Sequence, residues 1–155
     1  MDDAVARSLA RWPNVPAVYG WLELDRRGNW RIKGERIANV ALREFIARNY
    51  EADDRGRWYF QNGPQRVYVT LAYTPLVVHF EGDALIDHCG RPFFAQETYV
   101  DDEGSVLVVQ QGKIALLDDR DLGRYAEAAE RLPRLAKSEI ATRFAFVKNP
   151  SDSLR

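Results

Sequence analysis

The sequence has little of several residue types on which small proteins often depend. Its 155 residues include one cysteine, one methionine and two histidines. A single cysteine excludes an internal disulfide framework and is typical of a reducing compartment. No apolar run approaches the ~18 residues of a membrane-spanning helix, and the acidic start lacks the order of a signal peptide. We therefore expect a cytoplasmic protein with no membrane span.

An excess of charge of one sign is also missing. The chain carries 22 Lys and Arg residues against 23 Asp and Glu residues, for a formal net charge of −1. Proteins that bind the phosphate backbone of nucleic acids usually need a strongly basic surface, so this balance disfavours a nucleic-acid partner. Most of the cations are arginines, which pair bidentately with carboxylates and phosphates. An anionic small-molecule ligand therefore remains open.

What the chain does contain is a repeated pattern, Asp-x-x-Gly-x-(Trp or Val), which occurs at positions 25–30, 53–58 and 101–106. The Asp side chain accepts hydrogen bonds from backbone N–H groups further along the turn, and Gly adopts a positive φ without steric cost. The pattern predicts three hairpin turns in which a type I turn is followed by a left-handed glycine. We expect positive φ angles at Gly28, Gly56 and Gly104.

An acidic turn could instead bind calcium. The loop of an EF-hand ends in a bidentate glutamate at its twelfth position. Counted from the three aspartates, that position holds Arg36, Pro64 and Gly112. None of these residues supplies a carboxylate, so we interpret the three patterns as structural turns.

The order of apolar runs and turns predicts an α+β fold in which antiparallel β-meanders form two related lobes. Apolar residues at helical spacing predict a main helix at about 35–49. A second helix is predicted at about 122–132, between a capping Asp121 and Pro133. The break at Thr74-Pro75 separates an N-terminal α+β lobe, 1–75, from a C-terminal lobe with a β-meander and helix, 76–155. Two similar meanders are compatible with internal duplication, but also with the small number of good hairpin loops.

Several segments have a family likeness. The stretch from Gly20 through Asp25, Gly28 and Trp30 to Ile37, the following helix, and the stretch from Asp53 to Pro75 together resemble bacterial families of domains of unknown function, found mainly in proteobacteria. The shared motifs are turns, core aromatics and a helix start. The resemblance implies a two-lobed α+β protein that acts as a ligand-binding or regulatory module, and it assigns no catalytic residue.

One short segment concentrates metal-ligand chemistry. Both histidines lie there, and His79, Asp87 and His88 could approach one another across a hairpin that turns at 82–83. Two imidazoles and a carboxylate suit Zn²⁺ or another divalent ion. Their spacing matches no established metal motif, and a polar hairpin with alternate residues in water is the simpler explanation. We expect no cofactor, with a divalent metal as the alternative.

A second candidate is a strand face that combines arginine with aromatic rings. Arg31, Arg66 and Tyr68 could bind an aromatic anionic metabolite through ion pairing and stacking. The alternation of side chains along a strand places Trp58 and Phe60 on the opposite face, where we expect them in the core.

The sequence lacks the motifs of several common enzyme classes. The sequence has no Gly-x-Ser-x-Gly elbow, no phosphate-binding loop and no Gly-x-Gly-x-x-Gly fingerprint. We therefore expect a non-enzymatic module that binds a small molecule or a protein partner in a cleft between the lobes. The alternative is a divalent-metal-binding protein, or a metal-dependent enzyme, that uses the His79/His88 hairpin.

Overall fold

The computed structural model describes residues 3–151, and in this part of the chain it contains two β-sheets, three α-helices and three 3-10 helices. The helices are α1 (Asp3–Leu9), α2 (Val40–Arg48) and α3 (Ile140–Arg143), with 3-10 helices at Asp119–Tyr125, Ala129–Arg131 and Lys137–Glu139. The strands are β1 (Ala17–Leu24), β2 (Trp30–Ile32), β3 (Glu35–Arg36), β4 (Tyr50–Ala52), β5 (Trp58–Asn62), β6 (Gln65–Leu71), β7 (Leu76–Glu81), β8 (Ala84–Asp87), β9 (Pro92–Phe93), β10 (Glu97–Asp101), β11 (Val106–Gln110), β12 (Lys113–Leu117) and β13 (Arg134–Leu135). No helix in these residues is long and apolar enough to cross a membrane.

The two sheets have the same strand order. Sheet 1 runs β3-β2-β1-β6-β5-β4, and sheet 2 runs β9-β8-β7-β12-β11-β10, with β13 added at its edge. In each sheet the first strand of the copy lies parallel to the last, β1 beside β6 and β7 beside β12, and the hairpin neighbours are antiparallel. The predicted α+β fold with two related lobes is confirmed.

The largest difference between the copies is in one connection. In sheet 1, the link between the third and fourth strands contains α2, whereas in sheet 2 the equivalent link is the short segment 94–96. A single apolar cluster joins both sheets and takes Val5 from α1, Ile46 from α2 and Ile140 from α3. Trp58 and Phe60 belong to this cluster, as the strand alternation predicts. Burial of each large apolar side chain contributes about 1.5–3 kcal/mol to stability.

The predicted turns are present. Gly28, Gly56 and Gly104 have φ angles of 82°, 77° and 85°. In each turn one carboxylate oxygen of the aspartate accepts the backbone N–H groups two and four residues further on, at 2.8–2.9 Å. A fourth turn with the same bonds starts at Asp87 and carries Gly90 at a φ of 86°. The Asp-x-x-Gly pattern therefore forms turns between consecutive strands in both sheets.

The main helix is shorter than predicted. It begins at Val40, because Asn39 caps it by accepting the Leu42 N–H at 2.9 Å. Residues 35–36 form strand β3 against β2 instead of the first helical turn. The apolar periodicity starts earlier because Ile37 reaches the core from the connecting loop.

The second predicted helix, about 122–132, is present as two 3-10 helices and not as one continuous helix. Gly123 lies within the first of them, and glycine disfavours an uninterrupted helix. Asp118, not Asp121, provides the cap by accepting the Arg120 N–H. Asp121 instead accepts the Phe80 N–H at 2.9 Å, which ties this segment to sheet 2.

Candidate functional site

A cavity of about 530 Å³ opens where the two sheets meet α2, and we call it the basic cavity. One wall is α2, and the others are the first turn of sheet 1 and the fourth turn, in sheet 2. Its cationic groups are Arg36, Arg43 and Arg48, with Glu44 as the carboxylate. Three guanidinium groups against one carboxylate favour a ligand that carries negative charge.

The arginines of the basic cavity have guanidinium donors available to a ligand. Arg36 donates from Nε to the Asn29 side chain at 3.0 Å. Within residues 3–151, neither Arg43 nor Arg48 forms a hydrogen bond or ion pair through its guanidinium, although that of Arg48 lies 6.0 Å from the Phe45 ring. Guanidinium groups without a carboxylate partner retain all their donors for an incoming anion.

The first and fourth turns meet at the floor of the basic cavity. A Cβ atom added to Gly28 would lie 2.7 Å from the Cβ of His88, so only glycine fits this contact. The Nδ1 atom of His88 accepts the Val77 N–H at 3.2 Å, and its ring lies 5.1 Å from that of Trp30 and 5.4 Å from that of Tyr50. The contact fixes the positions of both turns relative to each other.

His88 is a neutral structural side chain. Burial lowers its pKa to about 3, because the apolar surroundings disfavour the imidazolium. Since Nδ1 accepts a hydrogen bond, the proton of the neutral ring is on Nε2, which is buried and has no hydrogen-bond partner among the described residues. The imidazole packs against the rings of Trp30 and Tyr50, and in its neutral form it contributes no positive charge to the cavity.

A second cavity, of about 520 Å³, lies beside the first, and we call it the aromatic cavity. Its lining includes the side chains of Tyr50, Trp58 and Phe93. Arg48 lines both cavities. Arg91, on the rim of the aromatic cavity, donates to the backbone oxygen of Ala47 in the wall of the basic cavity, at 3.3 Å. The two cavities are therefore neighbouring parts of one cleft between the sheets.

The residues of the predicted metal hairpin do not converge. His79 lies at the surface with its Nε2 3.3 Å from Glu81 Oε2, while His88 points into the core. One oxygen of Asp87 already accepts two backbone N–H groups of its own turn, at 2.9 and 3.0 Å. Residues 3–151 contain no group of three or more His, Cys, Asp or Glu side chains that could hold a metal ion. The metal prediction therefore has no geometric support, because Asp87 serves the fourth turn.

The cysteine beside His88 is also unsuited to nucleophilic chemistry. Cys89 lines the basic cavity and is half-buried. Burial raises the pKa of its thiol to about 12, with a further contribution from the Asp87 carboxylate. The thiol is therefore protonated at neutral pH, whereas a nucleophilic cysteine needs the thiolate.

The predicted arginine–tyrosine face exists on the side of sheet 1 that faces away from the core. Arg66 lies 4.2 Å over the Tyr59 ring, and Tyr68 stacks on Tyr19 with centroids 4.9 Å apart and planes 4° from parallel. Tyr59 and Tyr68 are only 4% and 5% exposed, so their rings offer little surface to a ligand. This face is satisfied by its own cations and rings.

Arg31, the third residue of that prediction, lies apart from the other two. It is on β2, and β1 separates β2 from the strand that carries Arg66 and Tyr68. Its Nε donates to Asp25 Oδ2 at 2.8 Å, which supports the first turn. The three residues therefore do not form one site, and none of them lines either cavity.

Sequence reasoning missed the arginines of the cleft and the fourth turn. Arg43 and Arg48 look like ordinary residues of a polar helix face, and only the tertiary structure places sheet 2 opposite them. The fourth turn had a signal, since Asp87 and Gly90 have the spacing of the other three turns. Its sixth residue is Pro92, where the other copies have Trp or Val.

Comparisons with known proteins extend these observations. A family model, DUF2944, with the description "Protein of unknown function (DUF2946)", matches residues 1–151. No curated protein matches the chain. Among solved structures, a DUF1285 family protein from Silicibacter pomeroyi is 17% identical with a TM-score of 0.55, over 82% of this chain and 85% of that one. A DUF1285 family protein from Shewanella baltica is 14% identical with a TM-score of 0.50, over 68% and 90%. At these identities the likeness concerns the fold alone.

Proposed function

We propose that this chain, which belongs to the DUF2944 family of proteins of unknown function, is a non-enzymatic binding module that takes an anionic small molecule in the cleft between its two sheets. The observation that carries the proposal is the basic cavity. Two of its arginines, Arg43 and Arg48, have no carboxylate partner within residues 3–151. A concave site with a few convergent polar groups is the usual form of a small-molecule site.

The charges of the cavity support an anion over a cation or a neutral ligand. The neutral His88 and the protonated Cys89 add no charge, so the arginines dominate the local potential. Arginine binds carboxylates and phosphates through paired N–H donors, and these bonds are about twice as strong as neutral ones.

The chemical inertness of the same side chains supports binding over catalysis. General acid–base catalysis needs a group that titrates near the working pH, and the pKa values of His88 and Cys89 are shifted away from neutrality. The single cysteine also supports a reducing compartment, and we infer a cytoplasmic location.

Thermal unfolding in the presence of inorganic phosphate and of citrate tests the proposal. A ligand that binds only the folded state raises the midpoint in proportion to the logarithm of its concentration above Kd. The Arg43→Gln/Arg48→Gln double variant should lose this rise. Arg55→Gln is the matched control, because Arg55 is exposed on the second turn and lines neither cavity.

The rise must depend on the cleft arginines to support the proposal. Equal rises in the wild type and the double variant would contradict it, because they would indicate general salt stabilisation. No rise with either anion would contradict it as well.

A further inference from the structure

We infer that the ligand of the basic cavity is an acidic α-amino acid, such as glutamate, and not a simple anion. The inference rests on the proposed function and adds the class of the ligand. It depends on Glu44, a carboxylate that lines the basic cavity and has no hydrogen-bond or ion-pair partner among residues 3–151.

One face of α2 lines the basic cavity. The lining residues of this helix are Val40, Arg43, Glu44, Ala47 and Arg48, which follow one another at steps of one to three residues and recur at i, i+3, i+4, i+7 and i+8. This spacing places their side chains on the same side of a helix. The cavity wall therefore presents two cations with an anion between them in the sequence.

The expected ion pair within this face is not formed. Glu44 and Arg48 have the spacing and the order that favour an ion pair on a helix, with the carboxylate four residues before the cation. The guanidinium of Arg48 instead lies 6.0 Å from the Phe45 ring, and Glu44 pairs with no arginine of the cavity. The wall thus offers binding groups of both signs to a ligand.

An α-amino acid carries both charges in one small group. Its ammonium can donate to the Glu44 carboxylate while its α-carboxylate accepts from Arg43 or Arg48. A simple anion has no ammonium, so Glu44 would face it with a like charge. The unpaired carboxylate therefore favours a zwitterion.

The rest of the lining suits an acidic side chain on that amino acid. Arg36 reaches the cavity from β3 and donates from Nε to Asn29 at 3.0 Å, which leaves its terminal nitrogens for a second carboxylate. Val40 is 54% exposed and offers apolar surface to the methylene groups of the ligand. Three guanidinium groups against the single carboxylate of Glu44 favour a ligand whose net charge is negative.

Isothermal titration calorimetry with three probes tests the inference: L-glutamate, glutarate, which lacks the ammonium, and 4-aminobutyrate, which lacks the α-carboxylate. Exposed ion pairs are weak, so loss of one lowers affinity by up to about fivefold. We expect glutarate to bind about threefold to fivefold more weakly than glutamate. We expect 4-aminobutyrate to bind more weakly than glutarate, because it has one carboxylate and no net charge.

Glu44→Gln tests the role of the carboxylate directly, since it keeps the size of the side chain and removes its charge. The variant should lose most of the preference for glutamate, and it should bind glutarate more tightly than the wild type does because a like charge is gone. A purely structural role of Glu44 would weaken both ligands. Glu127→Gln is the matched control, because Glu127 is exposed and lines neither cavity, and it should keep the wild-type preference.

The remaining outcomes separate this inference from the proposed function. Equal affinities of the wild type for glutamate and glutarate, or a full preference for glutamate in a folded Glu44→Gln variant, would overturn the inference and leave an anion site in the basic cavity. Binding of 4-aminobutyrate as tight as that of glutamate would also overturn it. No binding of glutamate, glutarate, phosphate or citrate would overturn both.

Discussion

The two sheets repeat one strand order, yet they contribute differently to the cleft. Sheet 1 carries α2 between its third and fourth strands, and sheet 2 has only the short link 94–96 at that point. The arginines Arg43 and Arg48 are on this added helix. The cleft is therefore basic on the side where the copies differ, and the shared strands mainly build the common core.

The four turns also divide into pairs at equivalent and at non-equivalent positions of the two sheets. The turns at Asp53 and Asp101 occupy equivalent positions, each before the fifth strand of its copy. The turns at Asp25 and Asp87 do not, since one follows the first strand of its copy and the other follows the second. These two non-equivalent turns meet through Gly28 and His88 at the basic cavity. Equivalent turns support each copy, and non-equivalent turns form the site.

The largest effect should come from breaking an equivalent pair of turns. Gly56 has a φ of 77°, and an added Cβ would collide with the backbone oxygen of Ala145. Gly104 has a φ of 85°, but an added Cβ meets only open space. A left-handed alanine costs about 1–2 kcal/mol, so we expect that loss for Gly104→Ala. The collision should raise the loss for Gly56→Ala to about 3 kcal/mol or more.

Urea unfolding of the two variants measures this difference. Residues 145–147 pack on the second turn, where the Val147 N–H donates to the Gly56 carbonyl at 2.9 Å. The third turn is contacted by an earlier part of the C-terminal segment, where the Lys137 N–H donates to Asp102 at 2.8 Å, and this contact leaves the space beside Gly104 open. Equal losses in the free energy of unfolding for Gly56→Ala and Gly104→Ala would contradict a steric collision between the second turn and the backbone at Ala145.

The next effect is a pH dependence that comes from the fourth turn. The folded pKa of His88 is about 3, below the ordinary value of 6.5 that the unfolded chain retains. The stabilisation from the neutral ring is therefore complete above pH 6.5 and is lost as the pH falls towards 3. Between pH 7 and pH 5 the loss should be about 2 kcal/mol.

Urea unfolding at pH 7 and pH 5 measures this loss. His88→Asn keeps a hydrogen-bond acceptor but has no imidazole to titrate, so its stability should change little over the same range. His79→Asn is the control, because His79 is at the surface and its loss should leave the pH dependence intact. An unchanged pH dependence in His88→Asn would refute the role of His88.

The smallest effect concerns the element that only one copy has. Asn39 caps α2 through the Leu42 N–H, and loss of such a cap costs about 1 kcal/mol. Asn39→Ala should therefore lower the free energy of unfolding by about that amount, while Asn39→Asp should retain most of it. A loss below a few tenths of a kcal/mol would mean that tertiary packing alone fixes the start of α2.

The sequence predicts the local structure of the chain well and its functional cleft poorly. The turns at Gly28, Gly56 and Gly104 follow from backbone chemistry within six residues, which explains why their φ angles could be predicted. The start of α2 could not be placed from periodicity, because Ile37 reaches the core from a loop. The site joins α2 to residues 88–90 of the other sheet, and no local pattern encodes that contact.

The metal and tyrosine predictions show why residue types alone do not define a site. His79, Asp87 and His88 are close in sequence, but a turn that uses the Asp87 carboxylate sends the two histidines to different environments. Arg66 and Tyr68 do lie on one face, where neighbouring rings and cations already satisfy them. A functional group must be both in place and free of partners.

The most direct test of the cleft uses the four tryptophans of the chain. Trp30 lines the basic cavity and Trp58 the aromatic cavity, whereas Trp12 and Trp21 pack together elsewhere and line neither. Indole N–H signals of ¹⁵N-labelled protein, assigned by single Trp→Phe variants, can be followed by NMR during a titration with inorganic phosphate. We expect the signal of Trp30 to shift along a saturable curve while those of Trp12 and Trp21 stay fixed. Shifts confined to Trp12 and Trp21, or no shift at all, would contradict a binding site between the sheets.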